Sequence, residues 1–127
     1  MSEPITTHVD TPVPALLVDV DGTISDLALD RSAPMGILTG MYDGIGCHTV
    51  ECVDLAEDLS VWFDENALMA GDKSVNMPIS LYLQDVYEIT HQLFWGAAVF
   101  TGGVDRNGDT IGISEQQAAA IRRYLTA

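Results

Sequence analysis

The chain has 127 residues, 47% of them apolar, so it can bury one hydrophobic core but is too short for several domains. Its 19 acidic residues outnumber the 5 basic ones and give a net charge of −14. A chain this negative is repelled by phosphate backbones and anionic membranes, which argues against direct binding to nucleic acid. The apolar content excludes a disordered acidic polymer.

Residues 1–12 contain prolines and a threonine pair without periodicity, so they predict a flexible tail ahead of one domain at 13–127. No apolar run approaches the roughly 20 residues that a membrane span needs. The N-terminus also lacks the basic and apolar pattern of a signal peptide. We therefore expect a cytoplasmic protein without membrane contacts.

An apolar, β-prone run from Ala15 to Val20 leads into Asp21 and Gly22, and polar and apolar residues then roughly alternate to Leu29. This pattern predicts a β-hairpin, with a type I′ turn at the Asp–Gly pair. Alternation along the hairpin places four carboxylates on its solvent side: Asp19, Asp21, Asp26 and Asp30.

A helix is predicted next, capped by Ser32, continuing through Met35 and ended by the glycines at 44 and 46. Two further strands, at 48–55 and 60–64, predict a second hairpin around Glu57 and Asp58. The mixed segment 65–76 predicts an irregular connection with one helical turn.

Pro78 opens a helix whose apolar period runs to Phe94, and a short apolar strand follows at 97–101. The last helix starts at Ser114, which forms a capping box with Gln117. The order β-β-α-β-β-α-β-α predicts an α+β fold: a small antiparallel sheet built from hairpins, with about three helices packed on it. The predicted core comprises Leu17, Leu38, Val50, Val53, Val61, Phe63, Leu83, Val86, Val99 and Ile121, with Trp62 on the opposite face from Val61 and Phe63.

The stretch LLVDVDGTI at 16–24 resembles the first motif of the haloacid-dehalogenase phosphatases. The resemblance implies Asp19 as nucleophile and Asp21 as acid/base, with magnesium neutralising the phosphate. The later motifs do not fit, because only 26 residues follow Thr101 and the single lysine, Lys73, precedes it. That family also needs a parallel sheet, so the phosphatase stays an alternative and a hairpin turn is favoured.

The loop that follows the fifth strand partly resembles a calcium loop, but Gly108 comes two places early and Gln116 stands where glutamate is needed. The Asn–Gly pair instead favours a tight turn. Cys47 and Cys52 are expected to be reduced and largely buried. We predict no metal and no cofactor. The loop's candidates for contact with a small ligand are Gly102, Gly103, Asp105, Asn107 and Asp109.

Five motifs in order resemble a catalogued family, domain of unknown function number 3846, over roughly residues 15–125. They are GCHTVECVDL at 46–55, VWFDENALM at 61–69, VNMPIS at 75–80, AVFTGGVDRNGDT at 98–110 and ISEQQ at 113–117. The resemblance implies an accessory protein of a phage, plasmid or other mobile element, which for a phage would act in the host cytoplasm. It implies no activity and transfers no functional residue.

The acidity is concentrated: residues 1–72 hold 14 acidic residues and one basic residue, Arg31. This favours a non-enzymatic interaction protein that docks on a basic host protein, inhibiting it or imitating the charge spacing of DNA. Charge that only keeps the chain in solution, or a small-ligand binder, fits the same numbers. The oligomeric state stays open. The candidate partner-binding residues are Asp19, Asp21, Asp26, Asp30, Asp54, Glu57 and Asp58.

Overall fold

The computed structural model of the chain describes residues 12–71, 73–90 and 92–126. In the described part the strands are β1 (Val13–Val18), β2 (Ile24–Leu29), β3 (Val50–Ala56), β4 (Leu59–Asp64) and β5 (Ala98–Thr101). The helices are α1 (Ile37–Ile45), α2 (Ala67–Ala70), α3 (Met77–Tyr87) and α4 (Glu115–Leu125). The predicted tail, apart from residue 12, lies outside the described residues.

The five strands form one sheet in the order β2-β1-β5-β4-β3, and every neighbouring pair is antiparallel. One row across the sheet shows the register: Leu16 lies opposite Phe100, which lies opposite Val61, which lies opposite Val53. β5 therefore joins the two hairpins, with β2 and β3 at the edges. The predicted α+β fold with an antiparallel sheet of hairpins is confirmed.

Helices cover both faces of this sheet. On one face, Leu16, Val61 and Phe100 pack with residues of α3 and α4 in the larger core cluster. On the other face, a smaller cluster joins Val99 to Met41 of α1. Strand alternation produces this division, because neighbouring residues of one strand point to opposite faces.

The first hairpin is confirmed, but its turn is longer than predicted. Gly22 N–H donates to the carbonyl of Asp19 over 3.0 Å, and Asp19 N–H donates to the carbonyl of Thr23 over 2.9 Å. Gly22 has a φ of +88°, whereas Asp21 has no positive φ. A type I′ turn needs positive φ at both central residues, so that prediction is wrong. The second hairpin turns at Glu57 and Asp58 as predicted.

Two helix boundaries differ from the prediction. α1 begins at Ile37 after Gly36, with no side-chain cap, because Ser32 instead donates to the carboxylate of Asp30 over 2.6 Å. α3 ends at Tyr87 rather than near Phe94. Glu88 there adopts a left-handed φ of 59° without being a glycine, so the usual sequence signal for a helix end is missing. The capping box of Ser114 with Gln117 is confirmed.

The core prediction holds for five residues that are fully or almost fully buried: Val61, Phe63, Leu83, Val99 and Ile121. Another four are half-buried: Leu17, Leu38, Val50 and Val53. The prediction that Val86 belongs to the core is wrong, since its side chain is 46% exposed. Tyr87 and Ile89 pack against the core instead. Trp62 lies opposite Val61 and Phe63 as predicted. Both cysteines are free, and Cys52 is exposed rather than buried.

Candidate functional site

Three acidic candidates near the first hairpin stabilise turns of their own backbone. Asp19 accepts from the N–H of Val20 over 2.7 Å, and Asp21 accepts from the N–H of Thr23 over 2.9 Å. The bond from Thr23 lowers the pKa of the Asp21 carboxyl. Hydrogen bonds from the side chain and backbone of Ser32 likewise lower the pKa of Asp30. These carboxylates are exposed, yet part of each is already used as an acceptor.

Asp26 pairs with Arg122 of α4 over 2.8 Å, which is the single ion pair among the described residues. It lies in the same row of the sheet as Leu16, on the face that α3 and α4 cover. Its charge is therefore partly compensated within the fold. Asp26 is the least suited of the candidates to meet a partner's cation.

The remaining acidic candidates lie on the second hairpin. Asp54 accepts from the hydroxyl of Ser60 over 2.9 Å, and Glu57 and Asp58 form the tight turn. The backbone carbonyl of Asp58 accepts from the side chain of Gln117 over 2.7 Å, which ties this turn to α4. All three carboxylates are exposed.

The sheet separates these candidates rather than gathering them. Because neighbouring strands are antiparallel, the turn that carries Asp19 and Asp21 lies at the end of the sheet where β4 finishes. Asp30 and the turn with Glu57 and Asp58 lie at the opposite end. The predicted residues therefore form two groups, and not one continuous row of charges.

The phosphatase-like aspartates also lack that family's surroundings. Asp19 follows β1, whose neighbours β2 and β5 are both antiparallel to it, whereas the haloacid-dehalogenase fold needs parallel strands. The ammonium group of Lys73 donates to the carbonyl of Gly46 over 2.7 Å, at the end of α1. The resemblance is therefore confined to the sequence around the first turn.

The loop candidates have structural contacts of their own. A methyl group on Gly103 would overlap the backbone carbonyl of Glu57, and one on Gly102 would crowd that of Gly112. These two glycines allow close backbone approach, and both are buried. The carboxylate of Asp105 accepts from the N–H groups of Asn107 and Asp109 over 2.8 and 3.0 Å. The tight turn predicted here is present.

The described residues contain no group of three or more His, Cys, Asp or Glu side chains arranged to hold a metal ion. Asp105 uses one carboxylate oxygen for two backbone amides, which is a turn-closing role. The loop geometry is therefore explained by packing and turn formation.

A different acidic surface, which the sequence reasoning missed, lies beside α2. A cavity of about 220 Å³ opens there between the end of β4, α2 and the segment 92–95. Glu51, Asp64 and Glu65 are among the residues that line it, and the carboxylate of Asp64 also accepts from the N–H of Asn66 over 2.9 Å. Beneath it, the rings of Phe63 and Phe94 stack with centroids 4.5 Å apart.

Two large apolar side chains that line this cavity, Leu68 and Leu93, are exposed, and so is Met69, which follows Leu68 in α2. Met69 is 87% exposed, Leu68 is 68% exposed and Leu93 is 51% exposed. We call the six residues Glu51, Asp64, Glu65, Leu68, Met69 and Leu93 the α2 surface. The sequence signal was weak, because α2 is one turn long and Leu93 was assigned to a longer α3.

The family model for a domain of unknown function, DUF3846, matches residues 13–126. The chain belongs to the DUF3846 family. This confirms the resemblance drawn from the five ordered motifs, and the match covers every strand and helix described above. Comparison with curated proteins and with solved structures finds no match.

Several motifs that carried the resemblance are structural in this DUF3846 chain. The stretch 75–80 includes Asn76 and Ser80, which are buried and hydrogen-bonded to backbone groups. The stretch 98–110 includes the two close-packed glycines. In the part of the chain that the structure describes, no helix has the length and apolarity to cross a bilayer.

Proposed function

We propose that this DUF3846 protein is a non-enzymatic interaction module that docks on a basic partner through the α2 surface. The observation that carries the proposal is a single cavity lined by three acidic residues, Glu51, Asp64 and Glu65, together with the exposed Leu68 and Leu93. The motif resemblance supports placing the protein in a phage or other mobile element, with a host protein as the partner.

The apolar side chains supply the contact area. Hot spots of protein interfaces are apolar or aromatic anchors surrounded by a polar rim that excludes water. Leu68 and Leu93 provide such anchors at the cavity that the stacked rings of Phe63 and Phe94 also line, and exposed Met69 extends them along α2. Isolated exposed apolar residues are common, but Leu68 and Leu93 at one cavity, with Met69 next to Leu68 in the chain, form a patch.

The charges specify the partner. The segment 50–65 carries six acidic residues and no lysine or arginine. A partner segment with Lys or Arg beside one or two apolar side chains would therefore complement both parts of the α2 surface. The field of the acidic N-terminal half would also speed association with such a partner at low salt.

To test the proposal, the partner is captured from host extract and purified. The dissociation constant of its complex with this protein is then measured for the unmodified chain and for variants. The double variant Leu68→Ser, Met69→Ser is expected to weaken binding at least 10-fold. The matched control Leu81→Ser removes a side chain that is 53% exposed on α3 and should leave binding unchanged. Unchanged binding in the double variant would contradict the proposal.

Charge is tested separately at the two ends of the sheet. Neutralising Glu51, Asp64 and Glu65 to amides should weaken binding and flatten its salt dependence. Neutralising Glu57 and Asp58 should change binding and its salt dependence much less, because that turn lies at the opposite end. Magnesium-dependent phosphoester hydrolysis that is lost in Asp19→Asn would instead establish the phosphatase alternative.

A further inference from the structure

A second, larger cavity lies on the face of the sheet that α1 covers. Its volume is about 520 Å³, which is in the range of small-molecule sites. It is open to solvent on one side, and three segments line it: the start of α1 with the residues before it, the middle of β4, and the turn at 108–110. The side chains that matter here are those of Arg31, Met35, Leu38, Trp62 and Asp109.

Trp62 presents a fixed aromatic wall to this cavity. Its indole N–H donates to the hydroxyl oxygen of Thr101 over 2.9 Å, and that hydroxyl donates to the carbonyl of Gly102 over 3.0 Å. The indole is half-buried, so one part packs on the sheet and the rest faces the cavity. A ring held in this way is an ordered platform for a planar ligand.

Arg31 places a positive charge in the same cavity. One guanidinium N–H donates to the carbonyl of Thr110 over 2.6 Å, which fixes the side chain against the turn. No carboxylate of the described residues lies within 4.0 Å of this guanidinium. A guanidinium has five N–H donors in a planar fork, so this contact leaves donors free for a ligand carboxylate.

The remaining walls select for a flat ligand with little charge. Met35 and Leu38 supply apolar surface, and Met35 is 55% exposed. Asp109 is exposed and also lines the cavity, so its negative charge disfavours a ligand that carries a second negative charge. A monocarboxylate therefore suits the cavity better than a phosphate dianion.

We infer that this cavity binds a small aromatic monocarboxylate, with its ring against Trp62 and its carboxylate on Arg31. The site is separate from the α2 surface, because the two cavities share no lining residue. The inference does not depend on the proposed docking function. It locates the small-ligand alternative at Trp62 and Arg31 rather than at Gly102 and Gly103.

Titration of the ¹⁵N-labelled protein with 2-naphthoate tests the site, followed at the indole N–H resonance of Trp62. We expect a saturable shift with a dissociation constant of about 1 mM or below. 2-Naphthylmethanol lacks the charge and acetate lacks the ring, so each should bind at least 10-fold more weakly. No saturable shift, or equal binding of 2-naphthoate and the alcohol, would overturn the inference.

Variants separate the site from general charge effects. Arg31→Met should remove the preference for 2-naphthoate over the alcohol, and Trp62→Leu should weaken the binding of both ligands. Because Trp62→Leu lacks the indole, the backbone N–H resonance of Thr110 is the probe for these variants. Arg106→Met removes an exposed arginine of the neighbouring turn and should bind like the unmodified protein. If Arg31→Met disturbs the spectrum of the free protein, Arg31→Lys is used, with an expected intermediate preference. An unchanged preference in both Arg31 variants would contradict the inference.

Discussion

The side-chain amide of Asn76 donates to the carbonyl of Val18 over 3.1 Å and so joins the start of α3 to the end of β1. The same NH₂ group donates to the carbonyl of Gly96 over 3.0 Å, and its oxygen accepts from the N–H of Ile79 over 3.2 Å. Asn76 is fully buried. One side chain therefore satisfies three buried backbone groups from three separate segments.

Asn76→Ala should destabilise the fold by about 3 kcal/mol, because it leaves buried carbonyl groups without donors and removes a helix cap. Asn76→Asp keeps the volume and the cap but cannot donate, so it should also be strongly destabilising. Urea unfolding measures both. Asn66→Ala, at an exposed position before α2, is the control and should cost less than about 1 kcal/mol. Equal losses at the two positions would contradict this account.

Gly103→Ala should destabilise by about 2–3 kcal/mol, since the added methyl overlaps the carbonyl of Glu57 in the turn of the second hairpin. The control is Gly108→Ala, where a methyl meets open space but the backbone has a φ of +83°. That variant should cost about 1 kcal/mol. Thermal unfolding compares the two, and a loss at Gly103 no larger than that at Gly108 would show that the close approach is unimportant.

Lys73→Met tests the cation at the end of α1. The ammonium group of Lys73 donates to the carbonyl of Gly46, where a positive charge also interacts favourably with the helix dipole. Methionine keeps most of the stem, so the expected loss of about 1 kcal/mol reports the charge and its hydrogen bond. Arg106→Met corrects for the general effect of removing one positive charge from an acidic chain. The difference between the two variants should shrink in high salt.

Asp21→Asn tests the turn of the first hairpin through its pH dependence. The hydrogen bond from Thr23 lowers the pKa of the folded-state carboxyl, so its contribution to stability is present above the unfolded-state pKa. That contribution is lost as the pH falls through the lowered folded-state pKa. Near neutral pH, the free energy of unfolding should therefore be larger for the unmodified protein than for Asp21→Asn. This difference should vanish in acid. A difference that persists unchanged in acid would rule out this explanation.

The sequence predicted the local elements well, because their signals are local. The alternation in 60–64 placed Trp62 opposite its neighbours, and Ser114 with Gln117 located the start of α4. The end of α3 was missed since Glu88 adopts a glycine-like backbone conformation. No short-range pattern indicates that exception.

The candidate sites were predicted less well, for a physical reason. The acidic candidates, which are concentrated in the first 72 residues, lie at opposite ends of the sheet. The strand order of the antiparallel sheet determines at which end each hairpin turn lies. The α2 surface and the cavity at Arg31 and Trp62 both join segments far apart in the chain. Such neighbours follow from the pairing of β1 and β4 with β5.

By itself, the sequence determined the net charge of −14, its concentration in the first 72 residues, the two hairpins and the family. Those properties depend on composition and on contacts between residues close in the chain. Only the tertiary structure decided which acidic residues share a cavity with exposed apolar side chains, why Gly103 must be small, and that Arg31 and Trp62 line one cavity. These depend on long-range packing, since the central strand β5 brings the two hairpins together.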